Sequence, residues 1–293
     1  LESPDVTRIQ SPSYWFDYLD NRYTWKTSAN DLFDIAWVQG DAAFGQQLQE
    51  IAQEGLKKAT QVLPIAPDLP VRIFVYPEDA ALEEVMSLAN PDWAAGHTSP
   101  DIGVIVVSNG SPSSDLVEME RQIPHELMHL LIYQTTAGNP GFVPVWLSEG
   151  LSTHVELYPD PDLQRVLIEK QALGELLPME SLCLGFSSDA NLAQLAYAQS
   201  SSFTQYLLSR FGAEIFPALL QTSTAGQSCA NLVESVIGVP LDQLESDWLQ
   251  ASFESAATPR SVSTTLIVGF AGGGLLLITL LIVLRRRHKS TDQ

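Results

Sequence analysis

Two histidines spaced four residues apart, in the stretch PHELMH (124–129), constrain this chain more tightly than any other feature. From Asp115 to Thr135 the sequence reads as a helix, with Pro124 either kinking it or opening its second half. On a helix, positions i and i+4 project from the same face, so His125 and His129 present two imidazoles side by side. Two neutral ring nitrogens so placed can hold one Zn²⁺ at about 2.0–2.1 Å. Glu126, beside the first histidine, is placed to take a proton from an attacking water and pass it to a departing amine.

A catalytic zinc site of this kind needs a third protein ligand and an open fourth position. The metzincin pattern would require glycine at 132 and histidine at 135, but those positions hold Ile132 and Thr135. Twenty residues beyond His129, the stretch VWLSEGLSTHVE sets Glu149 early on a second predicted helix, Val145 to Leu157. A carboxylate there completes a His₂Glu set. Glu156 lies seven residues further on, two helical turns along the same predicted helix and on the same face. It reads either as the carboxylate that orients a liganding imidazole or as a solvated acidic residue.

The rest of the chain reads as an α+β domain. Residues 1–30 form an N-terminal extension with scattered aromatics (Tyr14, Trp15, Phe16, Tyr18, Tyr23, Trp25), readable as a strand or two packed on the main body. DLFDIAWV (31–38), VRIFVY (71–76) and GVIVVS (103–108) have strand composition. Asp41 caps a helical pattern that ends before Pro64, Pro67 and Pro70. From 145 to about 253 the pattern is mainly helical.

HELMH followed by WLSEGLSTHVE resembles the HExxH…WLxEGxAxxxE arrangement of the thermolysin-like gluzincin zinc metallopeptidases, and more narrowly the peptidase MA-like family. YAQSSSFTQYLLSRFG (197–212) is similar to a later Y-x-x-S…YL…(Y/F)G segment of that family. The likeness covers about residues 31–250. It implies a zincin domain at 31–254, an N-terminal mixed β-sheet with helices followed by a helical part. His125, His129 and Glu149 would then bind zinc, with Glu126 as general base.

The same likeness returns Tyr197 to the site as a candidate oxyanion donor, against the reading of a packed core tyrosine. His154 is an alternative donor. In related folds an extended peptide aligns on an edge strand beside the HExxH helix, and GVIVVS stands in the right order for that role. His97 lies near this strand without ligand spacing. Ser152 and His154 depart from the usual small and aromatic residues after Glu-Gly, a change expected to touch substrate preference rather than metal binding.

Leu266 to Leu284 is a run of 19 residues without a charge, long enough at roughly 28 Å to cross a hydrocarbon core. A transmembrane helix is expected over 264–284, after a short polar linker at 255–263. Arg285, Arg286, Arg287 and Lys289 follow at once, so 285–293 is expected to be a basic cytoplasmic tail and the domain extracytoplasmic. The chain opens on Leu1 and a polar stretch, and a signal peptide is expected to have been removed.

The formal net charge is −20 even with that basic cluster included, so the body repels phosphate backbones and nucleic acid is not an expected partner. Cys183 and Cys229 form no CxxC pair; in an extracytoplasmic domain they are candidates for a disulfide, and otherwise for two buried thiols. The expected function is that of a single-pass, membrane-anchored zinc metallopeptidase cleaving proteins or peptides outside the membrane. The alternative is a catalytically inactive peptidase-fold module that binds or senses at the surface. Oligomeric state is not legible.

Overall fold

The structure, a computed structural model, describes residues 19–67, 70–86, 96–109 and 116–254. The apolar run, the polar linker before it, the basic tail and the aromatics at 14–18 lie outside the described residues. Among the described residues, no helix is long and apolar enough to cross a membrane.

Five strands build one mixed sheet in the order β1-β2-β3-β5-β4. They are β1 (Lys26–Ala29), β2 (Phe33–Trp37), β3 (Val71–Tyr76), β4 (Gly96–Ser99) and β5 (Val104–Ser108). β2, β3 and β5 run parallel, while β1 and β4 close the two sides antiparallel. Period-two alternation sends Phe33, Ile35, Ile73, Ile105 and Val107, all fully buried, into the core.

Helix α1 (Ala42–Val62) packs on β1, β2 and on α3 (Leu116–Thr135), which in turn packs on β4 and β5. Asp41 caps α1 by accepting from the Phe44 N–H at 3.1 Å. Elsewhere on the sheet, Tyr23, Trp25, Phe74 and Val106 pack around buried Tyr76, Ala81 and Leu82, the last two on α2 (Asp79–Met86). Tyr23 and Trp25 thus belong to the body of the domain, with edge-to-face contacts to Tyr76 at 6.0 and 5.1 Å.

The second half is helical: α4 (Val145–His154), α5 (Pro161–Leu173), α6 (Ala190–Phe211), α7 (Ile215–Thr222) and α8 (Cys229–Ile237). A separate compact unit begins at Gln243 and contains most of α9 (Leu241–Leu249), whose buried Trp248 meets Phe253 edge-on at 6.2 Å.

One expectation is overturned. β5, the GVIVVS segment, is not an edge strand; β4 covers it, pairing Gly96 with Val107 through Ser99 with Val104. The composition of GHTS carries no strand signal, being neither apolar nor β-branched beyond Thr98, so only the pairing with β5 defines it. Among the described residues, the sheet therefore ends beside α3 at β4, not at β5.

Candidate metal centre

α3 runs continuously through Pro124, without a break at the proline. A proline has no N–H to give the carbonyl one turn back, which here is that of Glu120. The main-chain N–H of Leu157 donates to that carbonyl instead, at 2.8 Å. Gly55 on α1 makes room for the ring: a Cβ there would stand 2.8 Å from Pro124 Cγ. The proline just before His125 thus docks the chain that leaves α4.

That docking explains where Glu156 goes. α4 ends at His154, so Glu156 lies beyond the helix and does not share the helical face of Glu149, as a helix reaching Leu157 would have required. Its carboxylate Oε1 nevertheless stands 3.1 Å from His125 Nδ1. Lys58, reaching from α1, donates to the Glu156 main-chain carbonyl at 2.5 Å.

α4 itself is set by three contacts. The Val145 N–H donates to the Cys183 carbonyl at 3.0 Å, satisfying an otherwise orphan donor at the helix start. Cys183 is bridged to Cys229 with a Cα separation of 6.0 Å. The buried Trp146 indole N–H points at Cys229 Sγ, 3.3 Å away. On the α6 side, Gly150 permits close approach, since a Cβ there would meet Thr204 Oγ1 at 2.2 Å and the Ser200 carbonyl at 2.6 Å. The glycine after Glu149 is therefore a packing requirement.

With both helices fixed, His125, His129 and Glu149 converge, their candidate ligand atoms all within 4.8 Å of one another. His125 Nε2 is 3.4 Å from Glu149 Oε2, and His129 Nε2 is 3.7 Å from Glu149 Oε1. Two ligand atoms each about 2.0–2.1 Å from a tetrahedral centre are separated by roughly 3.3–3.4 Å. The donor set and its spacing fit a divalent cation.

Both Nδ1 atoms are engaged on the far side. His125 Nδ1 faces Glu156, and His129 Nδ1 lies 3.2 Å from Ser148 Oγ and 3.4 Å from Ser152 Oγ. With Nδ1–H donating to these acceptors, each Nε2 keeps its lone pair for a metal. Ser152, fully buried, touches a candidate ligand, so its place in the sequence concerns the metal centre and not substrate preference alone.

Without a metal, the electrostatics are those of a tight ion pair. Burial lowers the His125 pKa, but the hydrogen bonds it donates to the Glu149 and Glu156 carboxylates outweigh this and raise it to about 10. Burial raises the Glu149 carboxyl, yet the charge of His129 and the contact with His125 bring it below its ordinary value.

Glu126, on α3 but turned toward the sheet, is buried. Thr98 on β4 donates to its Oε2 at 2.6 Å. Tyr197 on α6 shares a hydrogen bond with Glu149 and stacks edge-on against Phe186 at 5.0 Å. Burial first, then the charges of Glu149 and Glu126, raise its pKa, so the phenol keeps its proton and remains a donor. His154 is held neutral by burial and by the charge of Lys58; its electrostatic neighbour is that lysine.

Sequence reading does not single out Ser148, Lys58 or Thr98. For Ser148 a signal exists: with Ser152 it forms an i, i+4 pair on the Glu149 helix. Lys58 and Thr98 arrive from distant segments and carry none.

A sequence profile of the Peptidase MA superfamily matches residues 51–254, from the middle of α1 to the end of the described chain. The chain belongs to the Peptidase MA superfamily. Its α+β, zincin-like fold and its gluzincin motif agree with that membership. Among solved structures it is similar to the M1 zinc metallopeptidase from Deinococcus radiodurans, at 16% identity and a TM-score of 0.45, over 77% of this chain and 51% of that one. A mutant of a two-domain M1 zinc metallopeptidase bound to L-arginine gives 16% identity, a TM-score of 0.46 and the same coverage. This Peptidase MA member thus spans about half the length of those enzymes. A search of curated proteins found no match.

Proposed function

We propose that this chain is a membrane-anchored zinc metallopeptidase that hydrolyses peptide bonds of extracytoplasmic proteins or peptides. The observation that carries the reading is the convergence of His125, His129 and Glu149, with each Nε2 turned inward and each Nδ1 engaged behind. Zinc bound there supplies Lewis acidity, acidifying water and polarising a scissile carbonyl.

The remaining chemistry belongs to the chain. Glu126 accepts the proton of the attacking water and returns it to the departing amine. Tyr197, kept protonated, turns its hydroxyl from Glu149 toward the oxygen on which negative charge develops. Glu156 holds the His125 ring in its tautomer. The free edge of β4 aligns an extended peptide through main-chain hydrogen bonds, giving little dependence on side-chain sequence.

Anchoring rests on the sequence. The apolar stretch at 264–284 is the span, 255–263 the linker and 285–293 the cytoplasmic tail. The Cys183–Cys229 bridge supports an oxidising, extracytoplasmic setting for the domain.

The test is metal analysis of the detergent-solubilised chain, with peptide-library cleavage in the presence and absence of a chelator. One equivalent of zinc and chelator-sensitive cleavage are expected. Glu126→Gln should keep the zinc and lose about 10²–10⁴-fold in turnover. Zinc without cleavage of any library member would point instead to a binding or sensing module.

A further inference from the structure

β4 has two residues on the face it turns to α3, Gly96 and Thr98, and both meet Glu126. The Thr98 hydroxyl lies 2.6 Å from Glu126 Oε2 and 3.0 Å from the Glu126 main-chain carbonyl. Gly96 leaves open the space beside the other oxygen: a Cβ there would stand 2.7 Å from Oε1 and 3.1 Å from Cγ. His97, between them, points to the opposite face and is exposed.

We propose that Thr98 is a positioning residue for the general base, and that Gly96 and Thr98 together form a cradle fixing the Glu126 carboxylate. The inference rests on the peptidase reading above. A carboxylate on a flexible stem has two oxygens and free rotation about its last bond, and proton transfer needs one oxygen held within hydrogen-bond reach of the water. Thr98 takes one lone pair of Oε2 and so fixes the plane of the group. Oε1, bounded by the missing side chain of Gly96, is left as the proton acceptor. The cradle sits on the strand that ends the sheet among the described residues, so the strand that orients the base is also the one placed to align a peptide.

The experiment uses the full chain with Thr98→Val, Thr98→Ser and Gly96→Ala. Each is read by kcat and KM, by zinc affinity in chelator competition, and by a crystal structure showing the Glu126 rotamer. Thr98→Val should lower kcat about 10- to 100-fold, the cost of misplacing a reacting group by about 1 Å. KM and zinc affinity should stay within about twofold. Thr98→Ser, which keeps the hydroxyl, should recover most of kcat, and Gly96→Ala should lose kcat while retaining zinc. In Thr98→Val crystals the carboxylate should have swung away from its wild-type plane. Unchanged kcat in Thr98→Val, or a loss that serine does not restore, overturns the proposal. If the wild-type chain cleaves nothing, the peptidase reading fails, and the rotamer alone decides: a carboxylate unmoved in Thr98→Val overturns the cradle.

Discussion

His125 Nδ1 and Glu156 Oε1 stand 3.1 Å apart, joining the middle of one helix to a residue just past the end of another. Glu156 is buried, so this is not a surface ion pair screened by solvent. Replacing it with glutamine keeps the shape and removes the charge that supports the ring. Zinc affinity of Glu156→Gln should fall about 10- to 100-fold, the usual scale for losing a partner of a liganding histidine. Competition with a calibrated chelator measures this, and an unchanged affinity would contradict the assigned role.

Gly150→Ala tests the packing of α4 on α6. The new methyl meets a main-chain carbonyl, which cannot rotate away, so the helices must separate. A loss of about 1–3 kcal/mol is expected, read as a lower Tm in thermal denaturation. Because Glu149 rides on the same turn, zinc content should fall with it.

The metal-free protein should have a pH-dependent stability that the zinc form lacks. The His125 pKa is raised from 6.5 to about 10, so its contribution is complete below pH 6.5 and vanishes as pH climbs through about 10. Glu149 shifts the other way, so its contribution is complete above 4.5 and is lost on acidification through its depressed pKa. Chelated protein should therefore be most stable between pH 4.5 and 6.5 and should weaken steadily toward pH 10. Tm against pH, with chelator and with zinc, checks this; parallel curves would refute it.

Opening the disulfide should cost about 2–4 kcal/mol. The Cys183 carbonyl holds the first turn of α4 and Trp146 rests on Cys229, so the loss should reach the metal centre. Cys183→Ser combined with Cys229→Ser should lower both Tm and zinc affinity, whereas a drop in Tm alone would confine the bridge to a structural role.

What could be read in the sequence follows from which forces act locally. β2, β3 and β5 announce themselves through β-branching and alternation, and α1 through Asp41 and its apolar spacing, because each signal lies within its own segment. β4 does not: GHTS becomes a strand only by pairing with β5, and missing it made β5 look like the sheet edge. His125, His129 and Glu149 were legible because a metal demands fixed residue types at fixed helical spacing. Glu156 was legible as a candidate, but not the route by which it arrives. That route passes through a main-chain bond to Glu120, and no residue type encodes it. Thr98 carries a hydroxyl, a group that occurs everywhere and signals nothing until a carboxylate stands opposite; Ser148 is marked only by its i, i+4 spacing to Ser152.

Pro124 removes a donor from α3, and Leu157 supplies the replacement from its own backbone. The two segments of the metal site are therefore stitched by atoms that every amino acid possesses except proline. Residue 157 is free to vary widely in side chain without loosening the joint. A change of Pro124 to any other residue introduces a rival N–H and lets the helix reclaim its carbonyl. The tolerance of this region to substitution is thus lopsided, with its sensitivity gathered at the one residue that has no main-chain donor to offer.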